Sequence, residues 1–332
     1  MTRFFYGAAH EQFAPSELVA QAIAAEGAGF DGLACSDHLQ PWWEPGESGH
    51  AWVWLGAAGH ATTRIPLGTG VTAPVHRYHP VVVAQAFATL EELFPGRAFL
   101  GVGSGESLNE SPAGMDWPDT DEQLRRMTEA VELIGRLFDG QRVDHDGHYF
   151  RAKGAYLHTR PERRPPIYVS AFGPEAARIA GRLGDGVWTM GDPEMAPGVI
   201  EAYRDSAREH GREPGEVLLH VGFSWAEDDK AALEGSRVWK AAAVDEFFTD
   251  DWHEPGRMHE HAQSKVGDDE YRESFIVSAD PDEHAERIRR IEELGATTVV
   301  LMNVSGADPL AAIETYGEHV LPALRDGERV AA

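Results

Sequence analysis

The chain has a single cysteine, Cys35, in 332 residues. That excludes an internal disulfide and any metal site built from several cysteines. Lysine is nearly as scarce: only Lys153, Lys230, Lys240 and Lys265 occur among 29 basic residues, against 55 acidic ones. The formal net charge of −26 opposes nucleic acid and anionic membrane, so neither is expected as a partner. It also suggests a salt-adapted host, since salt screens the self-repulsion of an acidic surface. No window reaches the roughly 18 apolar residues of a membrane span. The opening Met1–Tyr6 has no long apolar stretch of the kind that marks a signal peptide. No low-complexity linker divides the chain. The expectation is a soluble, cytoplasmic, globular protein of one domain over residues 1–332.

Present instead is a regular alternation of short apolar runs and helical periodicity. Phe4–Ala9, Gly32–Ser36, Ile65–Ala73, Ala98–Val102, Ile167–Ala171, Gly186–Met190, Val217–Trp225 and Thr298–Asn303 read as strands. Helical stretches follow, among them Ser16–Gly27, Trp52–Ala61, Pro80–Phe94 and Glu122–Phe138. Eight strand–helix units imply a closed (β/α)8 TIM barrel rather than an open doubly wound sheet. An acidic stretch, about 238–273, interrupts the seventh unit and reads as an insertion over one face.

Such barrels do their chemistry at the C-terminal strand ends. The second strand runs into "SDHLQPWW", which supplies Asp37, His38 and Trp42. His38 there is a candidate general base; its competing reading is a packed histidine bonded to a carbonyl. No second ligand follows at metal spacing, so no metal is expected. The fourth strand ends in "GVGSGESLNE". Glu106 occupies the place of the last glycine in a dinucleotide fingerprint, which rejects that motif. The glycines suit close approach of backbone to a flat ligand, and Glu106 is either a proton-handling group or a loop cap. After the fifth strand, Gly173–Pro174 opens a helix whose free N–H groups suit an anion; a plain strand–helix turn explains them equally well.

Taken together, "SDHLQPW", "YHPVVVAQAFATL", "RAFLGVGSGESLNE" and "VSADPDEHAERI" resemble the deazaflavin-dependent branch of the luciferase-like barrel superfamily. The resemblance is to the F420-dependent glucose-6-phosphate dehydrogenases and secondary alcohol dehydrogenases, and it covers nearly the whole chain. It implies coenzyme F420, with Asp37 and His38 at the deazaflavin ring and His38 taking the hydroxyl proton as hydride leaves the substrate. It implies Trp42 at the reacting centre and Glu106 on the proton-transfer side of the ring. Gly70–Val71 would form the family's non-proline cis peptide behind the ring. Gly105, Asn109, Ala171, Phe172 and Gly173 would line the cofactor, the last three near its phosphate. A homodimer and a small-molecule substrate are implied as well.

The departures bear on the substrate. Sugar-phosphate enzymes of this branch hold the substrate phosphate with two lysines and an arginine. Here Thr189 is kept but Asp192 stands at the first lysine, and the second falls near Thr249 or Asp250. The arginine position falls near Ser274, two residues from Arg272, and Phe172 replaces a small residue. Thr189 and Asp192, with Trp42, are the expected substrate-pocket residues. The reading is an F420-dependent dehydrogenase for an unphosphorylated alcohol or sugar. The alternatives are an F420-dependent glucose-6-phosphate dehydrogenase, an FMN-dependent luciferase-like monooxygenase, and a non-catalytic flavin- or deazaflavin-binding protein.

Overall fold

Eight parallel strands close on themselves in the computed structural model, which describes residues 1–306 and 308–325. They are β1 (Arg3–Ala8), β2 (Gly32–Cys35), β3 (Leu67–Thr69), β4 (Ala98–Val102), β5 (Ile167–Ser170), β6 (Gly186–Met190), β7 (Glu216–Ser224) and β8 (Thr298–Asn303). Each pairs with the next, and β8 returns to β1 with Thr298 opposite Arg3 and Asn303 opposite Ala8. This is the TIM barrel expected from the sequence. The third strand is shorter than its apolar run suggests. The pairing breaks at a cis peptide between Gly70 and Val71 and resumes only as a single bridge from Thr72 to Val102.

Neighbouring parallel strands in register point their side chains to the same face, so the pairings sort each strand into inner and outer residues. Phe5, Ala34, Phe99, Tyr168, Trp188, Leu218 and Val300 form a separate buried cluster, the filling of the barrel, with Val71 against it. Their alternates, such as Tyr6, Leu33, Leu100, Val169, Val187, Leu219 and Leu301, join the larger core shared with the helices. Near the mouth the inner positions shrink to glycine because large neighbours already fill the space. A Cβ on Gly70 would lie 2.5 Å from the Trp188 ring, and one on Gly101 would lie 2.0 Å from the Thr69 carbonyl.

Two features lie outside the strand–helix repeat. An antiparallel hairpin, Val143–Asp146 with Arg151–Ala155, precedes β5. Its residues are polar on both faces, so it carries no alternating signal. The Glu129 carboxylate secures it by accepting from the His148, Tyr149 and Phe150 amides at 3.1, 3.1 and 2.9 Å. After β7, the acidic stretch folds into a 3-10 turn and the helices Glu246–Thr249, Pro255–Lys265 and Asp268–Ser274. A two-residue strand, Ile276–Val277, then pairs with the end of β7. Among the described residues no helix is long and apolar enough to cross a membrane.

Two alanine substitutions should separate barrel constraint from helix propensity. Gly101→Ala forces the β3–β4 contact apart, an overpacking cost of about 1–3 kcal/mol. Gly56→Ala, in the helix Ala51–Ala61 with open space at its Cβ, should gain about 0.5–1 kcal/mol. Thermal melts followed by circular dichroism should therefore show the first midpoint lowered by several degrees and the second raised by one or two.

Candidate active site

His38 leaves β2 at the mouth with its side chain 12% exposed, and its Nε2 faces two carboxyl groups. Glu11, from the turn after β1, places Oε1 at 3.5 Å, and Glu106, from the turn after β4, places Oε2 at 3.7 Å. On the other side of the ring, the Asn109 amide nitrogen is 3.4 Å from Nδ1, while the Asn109 oxygen accepts from the Leu39 amide at 2.7 Å. A hydrogen bond to the Gln40 backbone also holds the ring and raises its proton affinity against the effect of burial. Trp42 covers the imidazole, ring centres 5.5 Å apart.

Burial sets the proton affinities of this cluster. It drives His38 down to about 3, helped by the positive charge of Arg77. Burial pushes Glu11 up to about 7, although a 2.7 Å hydrogen bond from the Ser36 hydroxyl pulls the other way. Glu106 is pushed up to about 8, by burial first and then by the nearby Glu11. Its Oε2 is enclosed without a hydrogen-bond partner. At neutral pH the arrangement is a neutral histidine, a protonated Glu106 and a Glu11 close to its midpoint. The three titrate as a coupled unit.

A second, fully paired group lies behind the first. Arg77, from the turn after β3, donates to the Asp37 carboxylate at 3.0 Å and the Asp37 carbonyl at 2.6 Å. It also bonds Glu110 through the guanidinium at 3.2 Å and through its own amide at 2.9 Å. Thr72 completes Asp37 with a 2.6 Å hydroxyl bond. Asp37 is thereby committed to protein partners and holds the turn that carries His38. Asn109 likewise orients His38 in this structure.

The remaining expected residues divide into those at the mouth and those away from it. The cis peptide Gly70–Val71 lies at the floor beside Trp188, as the resemblance implied. Gly105 adopts a left-handed φ of 93° that only glycine takes readily, and it turns the chain so that Glu106 enters the mouth. Ala171 is buried, Phe172 is 48% exposed, and Gly173 caps the helix Pro174–Leu183 with no side chain occupying its first amides. Thr189 is corrected: it faces the helix layer, fully buried, its hydroxyl 3.8 Å from the Met195 sulfur. The inner residues of β6 are Trp188 and Met190, so strand parity removes Thr189 from the pocket. Asp192 is exposed, one oxygen of its carboxylate accepting from the Glu194 and Met195 amides at 2.7 and 2.9 Å.

Glu11, Arg77 and Glu110 were not among the expected residues. Glu11 was within reach of the sequence, because the first strand also ends in a titratable pair, His10–Glu11. Arg77 and Glu110 carry no local signal; only the fold brings them together.

The family model for luciferase-like monooxygenases matches residues 1–298. The chain belongs to this family. A Microbacterium testaceum protein named F420-dependent glucose-6-phosphate dehydrogenase is 42% identical over 97% of both chains. A Beutenbergia cavernae protein of the same name is 43% identical over 99% of both. Among solved structures, an F420-dependent secondary alcohol dehydrogenase in complex with an F420–acetone adduct superposes with a TM-score of 0.93. It is 34% identical, covering 97% of this chain and 99% of that one.

Replacing Arg77 by methionine should strand two buried carboxylates. Loss of one partner of a buried ion pair costs about 3–5 kcal/mol, and Arg77, Asp37 and Glu110 side chains are 9%, 2% and 0% exposed. Urea unfolding of Arg77→Met should show a loss of that size, whereas an unchanged midpoint would mean the triad contributes nothing net.

Proposed function

We propose that this chain oxidises an unphosphorylated alcohol or sugar at its hydroxyl carbon, with coenzyme F420 as hydride acceptor. The observation that carries the choice of substrate is the state of its cations. Every basic residue from 237 to 274 already has a partner. Arg237 and Lys240 both bind Asp268, and Lys265 binds Glu246. Arg257 binds Glu254, and Arg272 is spent on the Val277 and Asp229 carbonyls. Thr249 and Asp250 lie exposed at the end of a helical turn. A phosphate dianion would enter without the charge-assisted hydrogen bonds that hold it, each worth about 1.5–3 kcal/mol.

The chain is an F420-dependent oxidoreductase acting on CH–OH groups. Its mouth fits a flat, phosphate-bearing cofactor. Glycines at 70, 101, 103 and 105 keep the inner wall free of side chains, and Glu106 has an enclosed oxygen lacking a partner. The open helix N-terminus at Gly173 suits an anion. A bound deazaflavin supplies two-electron hydride chemistry and reacts poorly with oxygen. The FMN monooxygenase alternative has less support, since the relatives at 42 and 43% identity are named as F420 enzymes. A homodimer, implied by the resemblance, belongs to the same proposal.

The protein's own contribution is the movement of protons. With a proton affinity near 3, His38 is too weak a base to keep the hydroxyl proton of the substrate. It acts instead as a relay. The unprotonated Nε2 takes the hydroxyl proton as hydride leaves the carbon, and ionised Glu11, 3.5 Å from the same nitrogen, draws that proton on, so that Glu11, near 7, is the final acceptor. Glu106, near 8 and protonated at neutral pH, is the donor on the cofactor side.

The pH dependence follows with its sign. Activity needs Glu11 ionised, so it rises as pH passes about 7; it needs Glu106 protonated, so it falls as pH passes about 8. The profile of kcat/KM, which reports the free enzyme, should be a narrow bell between those values. Glu11→Gln should remove the acid limb and lower the rate about 10²-fold or more. An acid limb that persists in this variant would place the acceptor elsewhere.

Substrate choice is decided by specificity constants for glucose 6-phosphate, glucose and simple alcohols, measured with F420 at low and high salt. An unphosphorylated compound should lead in both. A preference for the phosphate above about tenfold in both, the equivalent of one charge-assisted hydrogen bond, restores the sugar-phosphate assignment.

A further inference from the structure

A short piece of the acidic stretch joins three loops of the mouth. The turn Glu246–Thr249 buries Phe247 and leaves Phe248 half-buried at the rim. The Phe248 ring lies 5.3 Å from Trp42, on the loop after β2, and 5.8 Å from Phe172, on the loop after β5. Beneath it, Phe247 sits 6.4 Å from Trp42 and 5.1 Å from Trp252. Asp251 then anchors the segment to the loop after β4. Its carboxylate accepts from the hydroxyls of Ser107 and Ser111, on the turn that begins one residue past Glu106. The Ser107 bond, with a smaller share from His253, holds Asp251 below the usual carboxylate range.

The result is a row of three aromatic rings, Trp42–Phe248–Phe172, running outward from His38. Phe172 remains 48% exposed at its outer end. The exposed Phe172 ring thus continues the aromatic row out of the mouth and gives an apolar ligand a contact surface there. The two phenylalanines offer no hydrogen-bonding group and the Trp42 indole N–H offers a single donor, so a polyhydroxylated substrate buried against the row would leave hydroxyls unpaired.

We propose that Phe248 is a specificity-determining residue, forming the apolar wall of the substrate pocket over His38, with Asp251 as the positioning residue that fixes it. The substrate is then an alcohol presenting an alkyl or aryl face, rather than a sugar. This rests on the dehydrogenase reading above and sharpens it.

The test uses the holoenzyme, F420 and a series of 2-alkanols from 2-propanol to 2-hexanol, with glucose beside them. F420 affinity is followed separately by fluorescence. In the parent, kcat/KM should climb by up to about fourfold for each methylene buried and exceed that for glucose. Phe248→Ala should flatten the climb, raising KM for 2-hexanol about tenfold or more, with the loss carried by KM rather than kcat and F420 affinity retained. Phe248→Leu, which keeps apolar bulk and guards against a failure to fold, should retain part of the climb. Asp251→Asn should raise KM in the same direction at an unchanged melting temperature. A climb as steep in Phe248→Ala or Phe248→Leu as in the parent, or glucose ahead of every alkanol, overturns the assignment of Phe248 while leaving an F420 dehydrogenase. F420 bound but no alcohol or sugar oxidised overturns the dehydrogenase reading and this assignment together.

Discussion

Arg77 is the constraint on which the mouth depends. It comes from the turn after β3, yet it binds Asp37 on the turn after β2 and Glu110 on the helical turn after β4. These are the two turns that carry His38 and Glu106. A guanidinium forks between two carboxylates in fixed geometry, which a lysine could not reproduce. The triad is buried, so its net worth to stability is modest, but its directionality is strict. It locks three neighbouring loops in one register and sets the separation of His38 from Glu106. It also places a fixed positive charge behind the imidazole, which keeps His38 neutral.

The same burial governs the chemistry. In water Glu11, His38 and Glu106 would be two carboxylates and a half-protonated imidazole. Within the mouth the affinities separate to about 7, 3 and 8, which brings both carboxyl groups close to neutral pH and leaves the histidine between them uncharged. Pairing explains why Asp37 and Glu110 serve structure while Glu11 and Glu106 are free for protons. The first two share an arginine. Glu11 keeps the Ser36 hydroxyl, its own backbone amide and the approach of His38, and one Glu106 oxygen has no partner.

The sequence exposed the barrel because the physical signal repeats: eight apolar runs, each followed by helical spacing. It exposed His38, Trp42 and Glu106 because strand ends are where such barrels act. The boundary of β3 was not legible, since Ile65–Ala73 carries no charged residue to mark an end while the pairing stops at Gly70. Thr189 shows a different limit. Its position at a strand end is right, but the face it occupies depends on register, and a shift of one residue separates mouth from helix layer. Asp192 meets a local competitor that the sequence does not display, the backbone amides two and three residues on. Arg77 and Glu110 were invisible for the opposite reason, as their meaning comes only from contacts 33 and 40 residues apart in the chain.

The charge of the protein places the cofactor and substrate proposals under one constraint. A net charge of −26 opposes the approach of any anion at low salt, and a phosphate-bearing cofactor must still bind. The helix N-terminus at Gly173, with no side-chain cap, suits an anion over a short range. On the other side of the mouth, the lysines and arginines of residues 237–274 are all paired and an aromatic row stands there. The two sides are therefore not interchangeable. One suits the charged end of a cofactor, and the other suits a neutral, apolar group held against Phe248 and Trp42.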